Sequence, residues 1–165
     1  MKLTAIKHLV YVSILSALAI VINLFECYFI PPLQFGIRLG FANIISLVAV
    51  FLLGSKELIY VNSLRVVLGG LLRGIIFGAP FWISGGGVVL STMALYLCHK
   101  RKCSILFTSV ISAIMHSFGQ LIVVTLLYQE VQIMTLLPLL VISAILTGLL
   151  TGFIARECIK RMRVC

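Results

Sequence analysis

The chain contains no aspartate and only four glutamates among its 165 residues. It therefore lacks the paired carboxylates that usually hold magnesium during diphosphate chemistry. It also lacks a Gly-x-x-x-x-Gly-Lys-[Ser/Thr] nucleotide loop, a His-Glu-x-x-His motif and any cysteine–histidine spacing typical of a metal site. From these absences we expect no catalytic residues, no metal and no cofactor, so the chain is not predicted to be an enzyme on its own.

Charged residues of both signs are scarce, at 10% of the chain, whereas hydrophobic residues make up 62% and the mean hydropathy is +1.23. A soluble domain would be roughly 45–50% apolar and about 25% charged. The composition thus argues against a soluble fold. Because the polar segments are too short to form a core of their own, we predict one integral membrane domain over residues 1–165.

Six hydrophobic segments predict an all-α protein with six transmembrane helices, since backbone groups in lipid must be hydrogen-bonded within their own segment. The first segment has no convincing signal cleavage site, so we interpret it as a retained span. The second and third are short, and we expect them to be tilted, broken or shielded by neighbours. The segments are Leu9–Phe25, Leu39–Leu53, Leu58–Leu72, Phe81–Leu97, Ile105–Leu127 and Met134–Ala155.

The formal net charge of +9 is distributed asymmetrically about these segments. Most lysines and arginines fall on one side of the predicted topology, which the positive-inside rule makes cytoplasmic, with both termini inside. They lie in short clusters rather than on a basic face with interleaved aromatic residues, so no nucleic-acid partner is expected. The residues on this side are Lys2, Lys7, Lys56, Lys100, Arg101, Lys102, Arg156, Lys160, Arg161 and Arg163.

Polar and charged residues also lie in or beside the apolar segments, where a charge costs on the order of 3 kcal/mol on insertion scales. Such residues tend to face a cavity or a partner. Because the chain has few acids, these positions predict an outward-open pocket for a negative or strongly polar ligand. The candidate ligand-binding residues are Arg38, Asn43, Asn62, Arg65, Arg73, Gly85, Gly86, His116 and Gln120.

Each candidate also has a structural interpretation. Arg38 and Arg73 could simply reach the outer headgroups, and His116 and Gln120, one helical turn apart, could be ordinary interhelical hydrogen-bond partners of other helices. For Arg65, the only plausible helical counter-ion in the sequence is Glu57, eight residues earlier.

Small residues and helix breakers add further expectations. The triple glycine at 85–87 implies close backbone approach, a break or a ligand site. The outer connection at residues 26–36 contains two consecutive prolines and is a candidate loop or lid. Small residues at four-residue spacing, Ala144-Gly148-Gly152 and Ser13-Ala17, favour internal helix packing over a docking face.

Several stretches resemble motifs of the Gx transporter family, which is also described as heptaprenyl diphosphate synthase component I. The motif G-I-K-L-G-L-A-N-I is similar to residues 36–44, and L-R-V-L-L-G is similar to residues 64–69. The S-x-x-G-G-x-x-S-x-x-x-M pattern resembles residues 84–94, and H-N-x-G-Q resembles residues 116–120, where Ser117 replaces the usual Asn.

The resemblance implies a six-helix bundle similar to the substrate-binding (S) components of energy-coupling factor (ECF) transporters, in a bacterial cell membrane. Such a subunit would bind a small anionic, polar-aromatic or vitamin- or isoprenoid-like molecule, and would rely on a transmembrane coupling protein with ATPase subunits. The alternative description implies a membrane accessory to a soluble prenyltransferase subunit in isoprenoid synthesis. A purely structural scaffold is the third hypothesis, and it predicts tolerance of neutral substitutions at the polar positions.

Overall fold

The computed structural model describes residues 2–29 and 40–164 and, except at residues 2–5, 7, 163 and 164, their side chains. All regular elements in these ranges are helices, which confirms the predicted all-α class. Arg38 and most of the connection at residues 26–36 lie outside the described residues. The elements are α1 (Lys2–Phe29), α2 (Asn43–Leu52), α3 (Ser55–Leu72), α4 (Ala79–Lys100), α5 (Ile105–Tyr128), a 3-10 helix (Val131–Leu136) and α6 (Leu137–Val164).

Each predicted hydrophobic segment corresponds to one α-helix, but within residues 2–29 and 40–164 only four helical stretches are long and apolar enough to cross a bilayer. These are His8–Phe29, Ala79–Lys100, Ile105–Tyr128 and Val131–Met162. With ten residues, α2 is about 15 Å long, which is half of a hydrocarbon core about 30 Å thick. The four long apolar helices are those of a membrane protein. Because α2 is too short to span the bilayer, six full spans are still a prediction, as are the cytoplasmic termini.

The short helix α2 lies at the centre of the bundle. Seven of its ten residues are buried, and it contacts all five other α-helices. A helix that is apolar on every side has no face suited to water, so it is stable only when surrounded. Gly54 then turns the chain into α3 with a φ of 122°, a conformation that side chains disfavour. Shielding by neighbours, one of the expectations for the short second segment, is confirmed.

Close packing joins α5 and α6 through small residues. Gly148 and Gly152 lie against Ser109 on α5, whose hydroxyl donates a hydrogen bond of 2.7 Å to the Gly148 carbonyl. Ala144 is also buried. The internal-packing interpretation is thus confirmed for the stripe on α6. On α1, in contrast, Ser13 and Ala17 are exposed.

Candidate functional site

A buried arginine lies where the first turn of α2 meets the middle of α3. Arg65 is only 3% exposed. Its Nη1 and Nη2 atoms donate to Oδ1 of Asn43, both over 3.3 Å, and Nη1 also donates to Oγ of Ser46 over 3.4 Å. These distances are longer than the 2.7–2.9 Å that is usual for charge-assisted bonds. The structure thus brings the candidates Asn43 and Arg65 into direct contact.

The hydrogen bonding continues from Arg65 toward α4. The Ser46 hydroxyl donates to Oδ1 of Asn62 over 2.5 Å, and Nδ2 of Asn62 donates to Oγ1 of Thr92 over 2.7 Å. Ser46, Asn62 and Arg65 are all buried. Asn62 and Arg65, three residues apart on α3, lie on one face of that helix, because Ser46 bonds to both side chains.

His116 and Gln120 form the side of the cluster that belongs to α5. Nε2 of Gln120 lies 3.1 Å from Nε2 of His116. Since an amide nitrogen can only donate, His116 Nε2 accepts, and the proton of the neutral ring is on Nδ1. Two glycines make room for the ring: a Cβ at Gly40 would be 2.9 Å from Cδ2, and a Cβ at Gly87 would be 2.8 Å from Cε1.

Glu26, near the end of α1, supplies the negative charge at this site. The carboxylate is 3% exposed, and its Oε1 accepts a 2.7 Å hydrogen bond from the backbone N–H of Gly40. It interacts electrostatically with both Arg65 and Arg73. Expecting Glu57 to be the only plausible counter-ion of Arg65 was therefore wrong. Oε1 of Glu57 instead lies 3.5 Å from a histidine nitrogen on α1.

A polar cavity of about 10 Å³ lies at the centre of these residues, roughly the space for one water molecule. One buried nitrogen atom of the cluster, Asn43 Nδ2, has no hydrogen-bond partner among the residues that the structure describes, whereas His116 also bonds to the backbone of Gly87. Most buried polar groups in proteins do have a partner. The cavity is lined by Asn23, Glu26, Gly40, Ala42, Arg65, Ser84, His116 and Gln120. The hydrogen-bonding capacity of this cluster is thus incompletely used.

The remaining candidates lie apart from this cavity. Arg73 is half-buried at the C-terminal end of α3, where Nε donates to the carbonyl of Gly69 and Nη1 to Sγ of Cys27, both over 3.0 Å. Gly85 lines a separate apolar groove between α3 and α4. A Cβ at Gly86 would meet Val123 on α5.

Sequence reasoning missed Glu26 and Ser46 and did not single out Gly87. A signal existed for Ser46, which follows Asn43 by three residues and so shares its helix face. Glu26 is separated from Arg65 by 39 positions and lies on another helix, so no spacing rule connects them. Gly87 differs from Gly85 and Gly86 only in the direction in which it faces from α4, and this direction is set by the rotation of the helix, which the sequence does not specify.

These features define a class: a helical membrane protein with a buried, charged and hydrogen-bonding cavity at its centre. A family model described as heptaprenyl diphosphate synthase component I matches residues 15–158. The chain therefore belongs to that family, as its motifs predicted. Component I is the accessory, non-catalytic part of the synthase, which agrees with the expectation that the chain is not itself an enzyme. No curated protein and no solved structure matches the chain.

Proposed function

We propose that this chain is the substrate-binding membrane subunit of a transporter similar to the ECF transporters. One observation carries the proposal: Asn43 holds a buried Nδ2 atom that no described residue satisfies, and the same amide contacts the buried guanidinium of Arg65. An unsatisfied buried polar group costs about 1–3 kcal/mol. A ligand that bonds to this atom recovers that cost.

The side chains around the cavity indicate the chemistry of the ligand. Arg65 presents donors to the cavity, and Glu26 presents a carboxylate on the same cavity. A suitable ligand is a small polar molecule that carries an anionic or strongly accepting group for Arg65. Arg38 and Arg73 would add positive charge toward the outside. The present cavity has room for about one water molecule, so a vitamin-sized ligand requires the surrounding helices to move apart.

Energy for transport would come from other subunits. The chain has no nucleotide-binding loop, so we propose that it works with a transmembrane coupling protein and ATPase subunits. In this arrangement the chain spans the bacterial cell membrane several times, its termini are cytoplasmic, and its cavity receives ligand from outside.

Native mass spectrometry of the protein purified from its host membrane tests this assignment. The wild-type chain should retain a small molecule, and Arg65→Ala and His116→Ala should lose it because each removes a side chain that lines the cavity. Phe118→Ala is a matched control on α5, since Phe118 is exposed. If wild type and both cavity variants retain the same molecule equally, the site assignment is wrong.

A second candidate function follows from the family match over residues 15–158. As component I, the chain would be a membrane accessory of heptaprenyl diphosphate synthase and would assist a soluble prenyltransferase subunit that supplies the catalytic aspartates. Affinity purification of the tagged chain from its host distinguishes the two proposals. Recovery of an ATPase pair supports transport, whereas recovery of a prenyltransferase, whose activity or product length changes without this chain, supports synthesis.

A further inference from the structure

Two cysteines with free thiols, Cys98 and Cys103, lie at the turn that joins α4 to α5. The N–H of Cys103 donates to the carbonyl of Cys98 over 3.0 Å, as in the longer bond of a Schellman motif. The shorter bond of the motif joins the N–H of Lys102 to the carbonyl of His99, also over 3.0 Å. Lys102 has the left-handed φ of 54° that the motif places just after the helix. Cys98 and Cys103 thus occupy the two positions whose side chains commonly meet in this motif.

The backbone of this turn allows a disulfide between the two cysteines. A 3.0 Å hydrogen bond from the nitrogen of Cys103 to the oxygen of Cys98 limits their Cα atoms to a separation of at most about 7 Å, given standard bond lengths. Cysteines farther apart than this cannot be bridged without backbone movement. The two thiol groups also interact directly, as side-chain hydrogen-bond partners. The turn therefore holds a dithiol rather than two unrelated cysteines.

The two thiols differ in their access to the surroundings. Cys98 is buried on α4, where its side chain also contacts Thr108 on α5, whereas Cys103 is partly exposed. A reagent from outside the bundle therefore reaches Cys103 first, and Cys98 lies behind it. Structural zinc sites take four side-chain ligands, and no group of even three His, Cys, Asp or Glu residues placed to hold a metal ion occurs among the described residues. The pair is thus better suited to thiol chemistry than to metal binding.

We propose that Cys98 and Cys103 form a redox-modification site, at which a low-molecular-weight disulfide such as oxidised glutathione converts the two thiols into a reversible disulfide. The Cys103 thiolate attacks one sulfur of the oxidant, which releases one thiol and leaves a mixed disulfide on Cys103. The Cys98 thiolate then attacks the sulfur of Cys103, closes the intramolecular bond and releases the second thiol. The two cysteines together lose two protons and two electrons, and the oxidant is reduced to two thiols.

The position of the site in the chain agrees with such a role. The turn displays the exposed residues Lys100, Arg101 and Lys102, on the side that the charge distribution predicts to be cytoplasmic. Disulfides in that compartment are rare and are usually transient, with catalytic or redox-sensing roles. The disulfide ties the last turn of α4 to the start of α5 and fixes the segment that carries these three cations. This site does not depend on either proposed function of the chain.

Treatment of the reduced protein in detergent micelles with oxidised glutathione, followed by alkylation, proteolysis and mass spectrometry, tests this proposal. In wild type, the peptides that carry Cys98 and Cys103 should become joined by a disulfide that dithiothreitol reverses. Cys98→Ala should instead retain a glutathionyl group on Cys103, because the second thiol is absent. Cys103→Ser should leave Cys98 several-fold less modified than that, since Cys98 is buried. Cys158→Ser is the matched control: Cys158 is exposed on α6, so its loss should not change the disulfide between residues 98 and 103.

Two results would overturn the proposal. The first is the absence of a disulfide between Cys98 and Cys103 in wild type at an oxidant concentration that already modifies the exposed Cys158. The second is a glutathionyl group that is retained on wild-type Cys103 as fully as in Cys98→Ala, because it would show that the Cys98 thiol does not reach the mixed disulfide. If Cys98→Ala does not fold, Cys98→Ser serves in the same comparison.

Discussion

The contact between α4 and α5 gives a sharp prediction at Gly119. A Cβ there would meet only backbone of α4, at 2.9 Å from the carbonyl carbon of Gly86 and 3.0 Å from Cα of Gly87. Backbone atoms cannot rotate away as a side chain can, so the two helices must separate. Overpacking of this kind typically costs about 1–3 kcal/mol. We therefore expect Gly119→Ala to have a lower free energy of unfolding, by about that amount, than a Gly→Ala change on these helices that introduces no clash.

Gly85→Ala is the matched control, on the facing helix. A Cβ at Gly85 meets no atom within 4 Å, so this change introduces no clash. Both substitutions gain the same intrinsic helix propensity, up to about 1 kcal/mol. The difference in unfolding free energy between the two variants therefore isolates the cost of separating α4 from α5.

Equilibrium unfolding of both variants in mixed detergent micelles, followed by circular dichroism, measures this difference. Because Gly87 also packs against His116 and Gln120, Gly119→Ala should in addition weaken retention of any ligand bound in the central cavity. If Gly119→Ala unfolds at the same denaturant concentration as Gly85→Ala, α4 and α5 do not pack as closely as the structure indicates.

Two further substitutions test the charge and the packing of the bundle. Glu26→Gln should lower the thermal unfolding midpoint, because it removes the carboxylate charge near two arginines. The control Glu130→Gln, at an exposed position, should leave the midpoint unchanged. Equal midpoints for the two variants would argue against a role for the Glu26 charge. Gly152→Leu should cost about 1–3 kcal/mol of unfolding free energy, since even a Cβ would lie 2.9 Å from Cβ of Ser109. Phe153→Leu, at an exposed neighbour, should be nearly neutral in the same denaturation assay, and an equal loss would contradict close packing at Gly152.

The helices themselves could be predicted because hydrophobic length alone determines them. The run from Leu9 to Phe25 lies within α1 (Lys2–Phe29), and the run from Ile105 to Leu127 matches α5 to within one residue. Sequence did not predict that α2 would be the centre of the bundle. Its apolar residues are equally compatible with lipid or with protein neighbours, and only the packing of the other helices distinguishes these environments.

The sequence predicts which candidate side chains share a face of one helix, but it does not predict which of them contact each other across two helices. Helical periodicity places His116 and Gln120 one turn apart, and it also brings Asn62 and Arg65, three residues apart, to one face. Contacts such as Arg65 with Asn43 depend on the rotation and depth of two separate helices. Adjacent helical positions differ by about 100° in direction, so no periodicity argument identifies which glycine of a triplet faces α5.

The geometry around Arg65 bears on whether its burial is structural or functional. The hydrogen bonds of its guanidinium go to an amide oxygen and a hydroxyl, at 3.3–3.4 Å. A charge retained for stability alone is best served by short bidentate bonds, because desolvating an ion costs several kcal/mol. Long bonds to neutral acceptors recover little of that cost and are readily exchanged. Under the proposed binding role, an anionic ligand would displace these long bonds, while the nearby Glu26 carboxylate already offsets part of the charge of Arg65.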